Sequence, residues 1–258
     1  MTSPKVEFMM GGHHAMSGAA AWLAITTPVT VGSMNLGFGV LHMERWETLA
    51  GAIVCAGAAL LPDADHHKAT IARSLPPISN MVTRMIGKVA GGHRNGTHSI
   101  LGILFFIFIA WLADSWSTEV DQLGVVYPGA ALFAILLISF AVKSVKFMPP
   151  LLCWVIALAA GAFVGMNAPD ERAWFPLAVT VGVIVHIVGD MLTIGGCNLL
   201  WPIKIGAPRW FRKLPVIGDC WKANGRVALP ILAETGSKAE WILASLLTSY
   251  VAVAIILT

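Results

Sequence analysis

Seven long apolar stretches divide the chain and constrain its fold more than any other feature, because about 20 consecutive apolar residues cross a bilayer as a helix. The composition agrees, since 57% of the residues are hydrophobic and only 12% are charged, which excludes an ordinary soluble domain. The sequence therefore predicts an all-α, polytopic transmembrane helix bundle of about seven spans. We place the stretches near residues 15–36, 46–61, 98–113, 123–142, 149–166, 174–193 and 240–257.

No internal repeat, low-complexity tract or soluble domain boundary interrupts this pattern, so we predict one integral-membrane domain over residues 1–258. The first ten residues lack the features of a cleavable leader, and we expect the first apolar segment to stay in the membrane. Within the domain we distinguish a motif-bearing core at 14–202, a basic aromatic connection at 203–239 and a last span at 240–258.

Basic residues indicate the orientation of the bundle. If successive spans alternate sides, 15 of the 17 lysines and arginines flank one face, and Arg45 and Arg172 lie on the other. By the positive-inside rule this face is cytoplasmic. We therefore predict a multi-pass protein of a cytoplasmic membrane with a cytoplasmic N-terminus.

Acids and histidines that could bind a cation fall at the ends of apolar segments, where ionisable groups are costly and usually functional. Alternation of the spans places all of them on the predicted cytoplasmic face, so we expect them to converge in one pocket. They are His14 at the start of the first span, Asp63, Asp65 and His66 at the end of the second, His98 at the start of the third, and His186 and Asp190 near the end of the sixth.

Local spacing supports such a pocket. His186 and Asp190 lie four residues apart, so a helix presents both on one face. Pro62 should end the second span and leave Asp63 and Asp65 on a turn. A plain histidine–aspartate hydrogen bond and an ordinary helix-terminating turn are the alternative explanations of these patterns.

The segment before the third span predicts a tight bend at Asn95 and Gly96, with Thr97 as the N-cap of a helix that begins at His98. Unpaired amides at such a helix start attract an anion. Arg94 could hold that anion, or could be one more cytoplasmic cation. His93 could be a metal ligand, a general acid or base, or a supporting group.

Nitrogen and carboxylate ligands without thiolate favour a divalent transition metal over calcium. Zinc is the first choice, with manganese, iron or nickel as alternatives. The number of candidate ligands is enough for one ion or for two.

The connection at 203–239 mixes tryptophan and phenylalanine with arginine and lysine, for example at Trp210, Phe211 and Arg212. Such a segment either anchors the protein among lipid headgroups or forms a rim that binds an anionic lipid. We expect membrane lipids as partners, with an anionic lipid or lipid-linked compound as substrate, and no nucleic acid.

These motifs together resemble the bacterial YdjM-type family, described as predicted inner-membrane metal-dependent hydrolases. The resemblance covers about residues 14 to 202. One departure is that Asn95 stands where the family usually has glycine. The matching motifs are His14 with Gly18, then Leu61-Pro62-Asp63-Ala64-Asp65-His66, then His93-Arg94 with Thr97-His98-Ser99, and His186-Ile187-Val188-Gly189-Asp190 with Thr193, Gly195 and Leu199-Leu200-Trp201-Pro202.

The resemblance implies a bacterial inner membrane and metal-dependent hydrolysis. The leading hypothesis is therefore a hydrolase whose metal-activated water attacks an ester or phosphoester, with His93 transferring protons and Arg94 holding the anionic group. A metal-ion or proton-coupled transporter and a noncatalytic scaffold with a structural metal are the alternatives.

Overall fold

A computed structural model describes residues 10–28, 30–31, 33–35, 37–168, 173–215, 217–234 and 236–258, so that Arg172 lies outside the described residues. The described chain is an all-α bundle. Its α-helices are α1 (Met10–Thr26), α2 (Arg45–Ala58), α3 (Ile78–Val89), α4 (Ile100–Ser115), α5 (Pro128–Val145), α6 (Pro150–Asn167), α7 (Trp174–Met191) and α8 (Lys238–Leu257).

Every helix except α3 overlaps one of the seven predicted apolar stretches, which confirms the predicted fold class. Within the described residues, five helices are long and apolar enough to span a membrane, whereas α1 and α4 are shorter, with 17 and 16 residues. The five are Arg45–Asp65, which includes the turn after α2, and α5, α6, α7 and α8. The prediction of seven spans is therefore approximate.

Two predicted boundaries were wrong by several residues. The first helix ends at Thr26 rather than near residue 36, because Pro28 disfavours helical backbone in the residue before it. A short antiparallel pair follows, β1 (Thr30–Val31) with β2 (Met34–Asn35).

A second antiparallel pair replaces the predicted start of the fourth span. It joins β3 (Thr118–Val120) to β4 (Gly124–Val126). The helix then begins at Pro128, because proline fits the first helical position, where its missing amide hydrogen costs no hydrogen bond.

Glycines allow α1, α5 and α7 to pack closely around α2. A methyl group added at Gly18 of α1 would lie 2.7 Å from the carbonyl oxygen of Cys55, and one at Gly182 of α7 would lie 2.5 Å from the same atom. A methyl group added at Gly57 of α2 would collide with the backbone carbonyl group of Leu137 in α5. Small residues bring membrane helices together in this way. The packing fixes the relative positions of α1, α2 and α7, whose ends carry candidate ligands.

The amphipathic helix α3 was not predicted. Its larger apolar side chains are exposed along one stripe, at Ile78, Met81, Met85 and Val89, with Lys88 beside them. An exposed apolar stripe of this kind is typical of a helix that lies in the membrane interface. The predicted cytoplasmic connection between the second and third spans therefore contains a structured element next to the site.

Candidate metal centre

Side chains from four separate parts of the chain meet at one end of the bundle. His14 comes from the first turns of α1, and Asp63 from the 3-10 turn Leu61–Asp65 that follows α2. His98 comes from the turn before α4, while His186 and Asp190 come from the last turns of α7. We call these five side chains, with Asp65 and His93, the ligand cluster.

Four atoms at the centre of the cluster have the spacing of metal ligands. The Nε2 atoms of His98 and His186 lie 3.1 Å apart. Asp190 Oδ2 lies 3.4 Å from the first and 3.8 Å from the second, and Asp63 Oδ1 lies 3.9 Å and 3.7 Å from them. Ligands about 2.0 to 2.1 Å from a tetrahedral zinc ion stand about 3.4 Å from one another. The four atoms therefore suit one such ion.

Hydrogen bonds orient both central imidazoles. His186 Nδ1 donates to the carbonyl oxygen of Ala59 over 2.7 Å, which leaves the lone pair on Nε2. His98 Nδ1 lies 3.0 Å from Thr97 Oγ1 and 3.3 Å from Asp65 Oδ2, so its Nε2 also faces the centre. Metal-binding histidines commonly use their second nitrogen in this way.

Asp65 is the main hydrogen-bond acceptor of the cluster. Its completely buried carboxylate accepts from His93 Nδ1 over 2.9 Å and from Thr97 Oγ1 over 2.6 Å. It thereby fixes the rings of both His93 and His98. Asp65 also belongs to a group with Asp63, His93 and His98 whose potential ligand atoms all lie within 4.8 Å of one another.

Arg94 holds the other central carboxylate. Its guanidinium donates to Asp190 Oδ1 over 2.8 Å and to Thr193 Oγ1 over 3.0 Å, and the residue is only 7% exposed. Gly195 leaves room for this side chain, since an added methyl group would collide with the Arg94 guanidinium. Among the described residues, Asp190 Oδ2 is buried without a hydrogen bond of normal length and faces the two histidines. A buried carboxylate oxygen is costly unless a cation lies beside it, which here is either a protonated His98 ring or a metal ion.

His14 extends the cluster on the α1 side. Its Nε2 lies 3.6 Å from Asp190 Oδ1, and its ring stacks on His186 with 3.9 Å between centroids. His14, His186 and Asp190 form a second group whose potential ligand atoms lie within 4.8 Å of one another. Two adjoining groups provide enough ligands for one ion or for two.

His66 stands apart from the other predicted ligands, because neither of these groups includes it. Its ring contacts that of His93, with 4.8 Å between centroids. Burial and the neighbouring His93 lower the pKa of His66 below its usual 6.5. The ring is therefore neutral at neutral pH.

The helix start predicted for residues 93–98 was wrong. The bend before the helix places Arg94 at a positive φ of 64°. Helix α4 begins at Ile100 with Ser99 as its N-cap, two residues later than predicted, because the Thr97 hydroxyl binds Asp65 instead. His98 therefore lies in a 3-10 turn, with its Nε2 toward the cluster.

The two nearest carboxylates govern the protonation of His98. Burial lowers its pKa, but the hydrogen bonds and charges of Asp190 and Asp65 outweigh burial and raise the pKa to about 9. At neutral pH both ring nitrogens of His98 are therefore protonated, unless a metal cation replaces the proton on Nε2.

Several supporting residues were not identified from the sequence. The guanidinium of Arg226 donates to the backbone carbonyl oxygen of His93 over 2.9 Å. The backbone amide of Asn198 donates to the backbone carbonyl oxygen of Arg94 over 3.0 Å. His13 pairs with Glu240 over 2.6 Å. An acid in the first turn of an apolar segment was a usable signal for Glu240, whereas nothing local distinguishes Arg226 from the other basic residues of its connection.

An apolar cavity of about 450 Å³ lies between α1, α7 and α8. His14 and Asp190 of the ligand cluster line one end together with the pair His13–Glu240, and Tyr250, about 15 Å further along α8, lines the cavity as well. Most of its wall is aliphatic, for example at Ala20, Val185 and Leu247.

A second cavity, of about 490 Å³, lies on the Asp63 side of the cluster. Asp63, His66 and His93 line it where it adjoins the ligands. Lys68, Arg73, Lys143 and Lys146 line it as well, and we call it the cationic cavity.

Comparisons with known proteins place these motifs in a family. The model of the family described as YdjM inner membrane protein matches residues 9–258. The chain is 30% identical over 176 residues to the inner membrane protein YdjM of Escherichia coli (strain K12), and equally to that of Shigella flexneri. Each alignment covers 67% of this chain and 56% of the relative, so the chain spans little more than half of those proteins. No solved structure matches the chain.

Proposed function

Because the chain belongs to the family of YdjM inner membrane proteins and carries a compact ligand cluster, we propose that it is a membrane-embedded, metal-dependent hydrolase of esters or phosphoesters. The observation that carries the proposal is that the Nε2 atoms of His98 and His186 lie 3.1 Å apart and each lies 3.4 to 3.9 Å from one oxygen of Asp63 and one of Asp190. Following the charge distribution, we place the cluster at the cytoplasmic face.

The donor set supports a transition metal. Two imidazole nitrogens and two carboxylate oxygens would hold the ion, which we propose is zinc, with manganese, iron or nickel as alternatives. A second ion would bind in the adjoining group of His14, His186 and Asp190. When bound, such an ion lowers the pKa of water toward 7 and stabilises negative charge on a substrate oxygen.

His93 suits proton transfer. Its Nδ1 donates to Asp65, which leaves the lone pair of the neutral ring on Nε2. The side chain is 34% exposed and lines the cationic cavity, so it is accessible to a substrate there. We propose that His93 accepts and returns protons as general base and acid.

Arg94 has both terminal nitrogens engaged, with Asp190 and Thr193. In our proposal this arginine is a positioning residue that holds Asp190 with Oδ2 toward the ion. Any contact of Arg94 with the anionic group of a substrate would add to this role.

The apolar cavity supports a substrate with a hydrocarbon chain. It combines an aliphatic wall from three helices with a polar end at His14 and Asp190. A lipid ester or lipid-linked ester could place its chain in this cavity and its polar group at the cluster. Substrate pockets commonly have such a mainly apolar wall with a few converging polar groups.

Elemental analysis of the purified protein in a maltoside detergent tests the metal centre. We expect bound metal in the wild type and loss of most of it in His186→Ala and Asp190→Ala. His67→Ala is the matched control, because His67 is exposed and belongs to neither ligand group. Equal metal content in all four proteins would overturn the proposal.

A noncatalytic role with a structural metal is the second candidate, and the four converging protein atoms support it, since structural zinc sites have four protein ligands. Against it, Asp63 is partly exposed and lines the cationic cavity, so the cluster is accessible from that side. Metal-loaded protein that hydrolyses neither carboxylic nor phosphate ester lipids would favour the structural role.

A further inference from the structure

Helix α3 has two faces of opposite character. Large apolar side chains recur three or four residues apart along one face, which is the spacing of a single helical stripe. Each of these side chains is between 43% and 77% exposed. The stripe consists of Ile78, Met81, Val82, Met85 and Val89. An apolar surface therefore runs along the outer side of the whole helix.

The opposite face of α3 packs against the turn that carries Asp63 and Asp65. Thr83 is completely buried, and a methyl group added at Gly87, one turn later, would lie 2.7 Å from the carbonyl oxygen of Asp65. Asp65 is the last residue of the candidate membrane span Arg45–Asp65. Helix α3 is therefore held at the end of a span, with its stripe turned away from the bundle.

Basic residues accompany the stripe. Arg84 and Lys88, one turn apart, are exposed along one edge of it. The sequence has no aspartate or glutamate between Asp65 and Asp114, so no acid of the same segment offsets these charges. The helix thus combines an outward apolar stripe with a basic edge.

A bilayer surface matches both features. The boundary between headgroups and acyl chains takes up the apolar side chains of an amphipathic helix, while lysine and arginine beside them contact anionic lipids. Each basic residue near an anionic surface strengthens the contact. Another protein could also cover an apolar stripe. The bilayer, however, is always within reach of α3, because this helix is attached to the end of a span.

We propose that α3 binds the surface of the surrounding membrane, with its stripe at the acyl-chain boundary and Arg84 and Lys88 at the phosphates of anionic lipids. This inference goes beyond the proposed hydrolase and does not depend on it. A protein without hydrolytic activity would bind lipid through α3 in the same way.

Membrane binding by α3 would also position the ligand cluster. Gly87 lies against Asp65, and the backbone amide of Gly92, next to His93, donates to the carbonyl oxygen of Gly87 over 2.8 Å. Both Asp65 and His93 are thus attached to the helix. A membrane-bound α3 would hold the cluster near the lipid headgroups.

Spin labels on single cysteines measure the depth of α3 in the full-length protein in lipid vesicles. The background carries Cys220→Ser, because the other three cysteines are buried. Labels at Met81→Cys and Met85→Cys sample the stripe, and a label at Asp121→Cys samples an exposed turn outside α3. Oxygen concentrates in hydrocarbon, whereas a nickel chelate stays in water. We expect the ratio of oxygen to nickel collisions to be at least about fivefold higher on the stripe than at Asp121→Cys.

Only labelled proteins with the wild-type melting temperature are compared. Equal collision ratios on the stripe and at Asp121→Cys would show that the stripe faces water and would overturn the inference. Low collision rates with both reagents would also overturn it, because protein would then cover the stripe. Broadening of the spectra by neighbouring labels would identify a second copy of the chain as the occupant instead.

Brominated lipids test the basic edge. They quench a fluorophore on Met85→Cys, so quenching by brominated phosphatidylglycerol relative to brominated phosphatidylcholine measures the preference for anionic lipid beside α3. Each basic residue near the surface favours an anionic lipid by roughly fivefold, and we expect a preference of at least about threefold with both residues present.

The variant Arg84→Gln/Lys88→Gln should lose most of this preference. Lys204→Gln/Lys213→Gln is the matched control, because it removes the same charge from exposed residues outside α3 and should keep the preference. Equal quenching by the two lipids before these substitutions, or an unchanged preference in the α3 variant, would overturn the assignment of Arg84 and Lys88 to lipid phosphates.

Discussion

The Nε2 atoms of His98 and His186 lie 3.1 Å apart, although 88 residues separate the two histidines in the chain. Each ring uses its Nδ1 in a hydrogen bond outside the centre, so both Nε2 atoms face each other. Two facing lone pairs repel unless a proton or a metal cation lies between them. The short distance between the two buried rings therefore favours a cation between them, either a proton or a metal ion.

Asp65→Asn should weaken metal binding without abolishing it. The substitution removes the negative charge that fixes the rings of His98 and His93, whereas the four central ligand atoms remain. Loss of such a supporting carboxylate typically lowers metal affinity by about 10- to 100-fold. Competition with a fluorescent chelator measures the change, and the exposed Asp121→Asn is the control. An affinity equal to that of the wild type would show that Asp65 does not orient the ligands.

Metal affinity should rise with pH up to about 9. The raised pKa of His98 means that its ring is protonated at neutral pH in the metal-free protein, and a metal must displace this proton. Affinity should therefore increase by up to about tenfold per pH unit between 6.5 and 8.5, where one proton is displaced. Titrations in buffers of different ionisation enthalpy would also report the released proton. A constant affinity over this range would contradict the assignment of His98 as a ligand.

Periodic features of the sequence predicted the large elements well. Apolar stretches located every helix except α3, and the spacing of His186 and Asp190 placed both on one face of α7, with 3.8 Å between Nε2 and Oδ2. Pro62 correctly indicated that the helix ends and that Asp63 follows on a turn. These predictions succeeded because helical periodicity, membrane thickness and the proline ring act locally.

Roles that depend on contacts between distant segments were not predictable. Asp65 accepts from Thr97 and His93, which are about 30 residues away, and Arg94 reaches Asp190 across almost 100 residues. Residue types alone cannot distinguish a ligand from a group that orients a ligand. The same limit applies to the cationic cavity, whose lysines looked like ordinary cytoplasmic charges before the fold brought them together.

Arg94→Ala should destabilise the protein strongly. It leaves the Asp190 carboxylate buried without its cation, and removal of one partner of a buried ion pair typically costs about 3 to 5 kcal/mol. Thermal unfolding in detergent measures the loss, with the exposed Arg84→Ala as control. Saturating zinc should recover part of the lost stability, because a metal at Asp190 Oδ2 also neutralises the carboxylate. A variant as stable as the wild type without metal would contradict the role of Arg94.

Gly182→Ala should reduce both stability and metal binding, although Gly182 lies two turns of α7 from the ligand Asp190. The added methyl group would lie 2.5 Å from the carbonyl oxygen of Cys55, so α7 must move away from α2. Overpacking of this kind costs about 1 to 3 kcal/mol. The displacement also separates His186 from Ala59, whose carbonyl oxygen orients the ring.

Gly12→Ala is the control, because its added methyl group would make only an ordinary contact of 3.5 Å with Ser144. We expect lower metal affinity and a lower melting temperature for Gly182→Ala alone. Unchanged metal affinity with lower stability would show that the cluster tolerates a shift of α7.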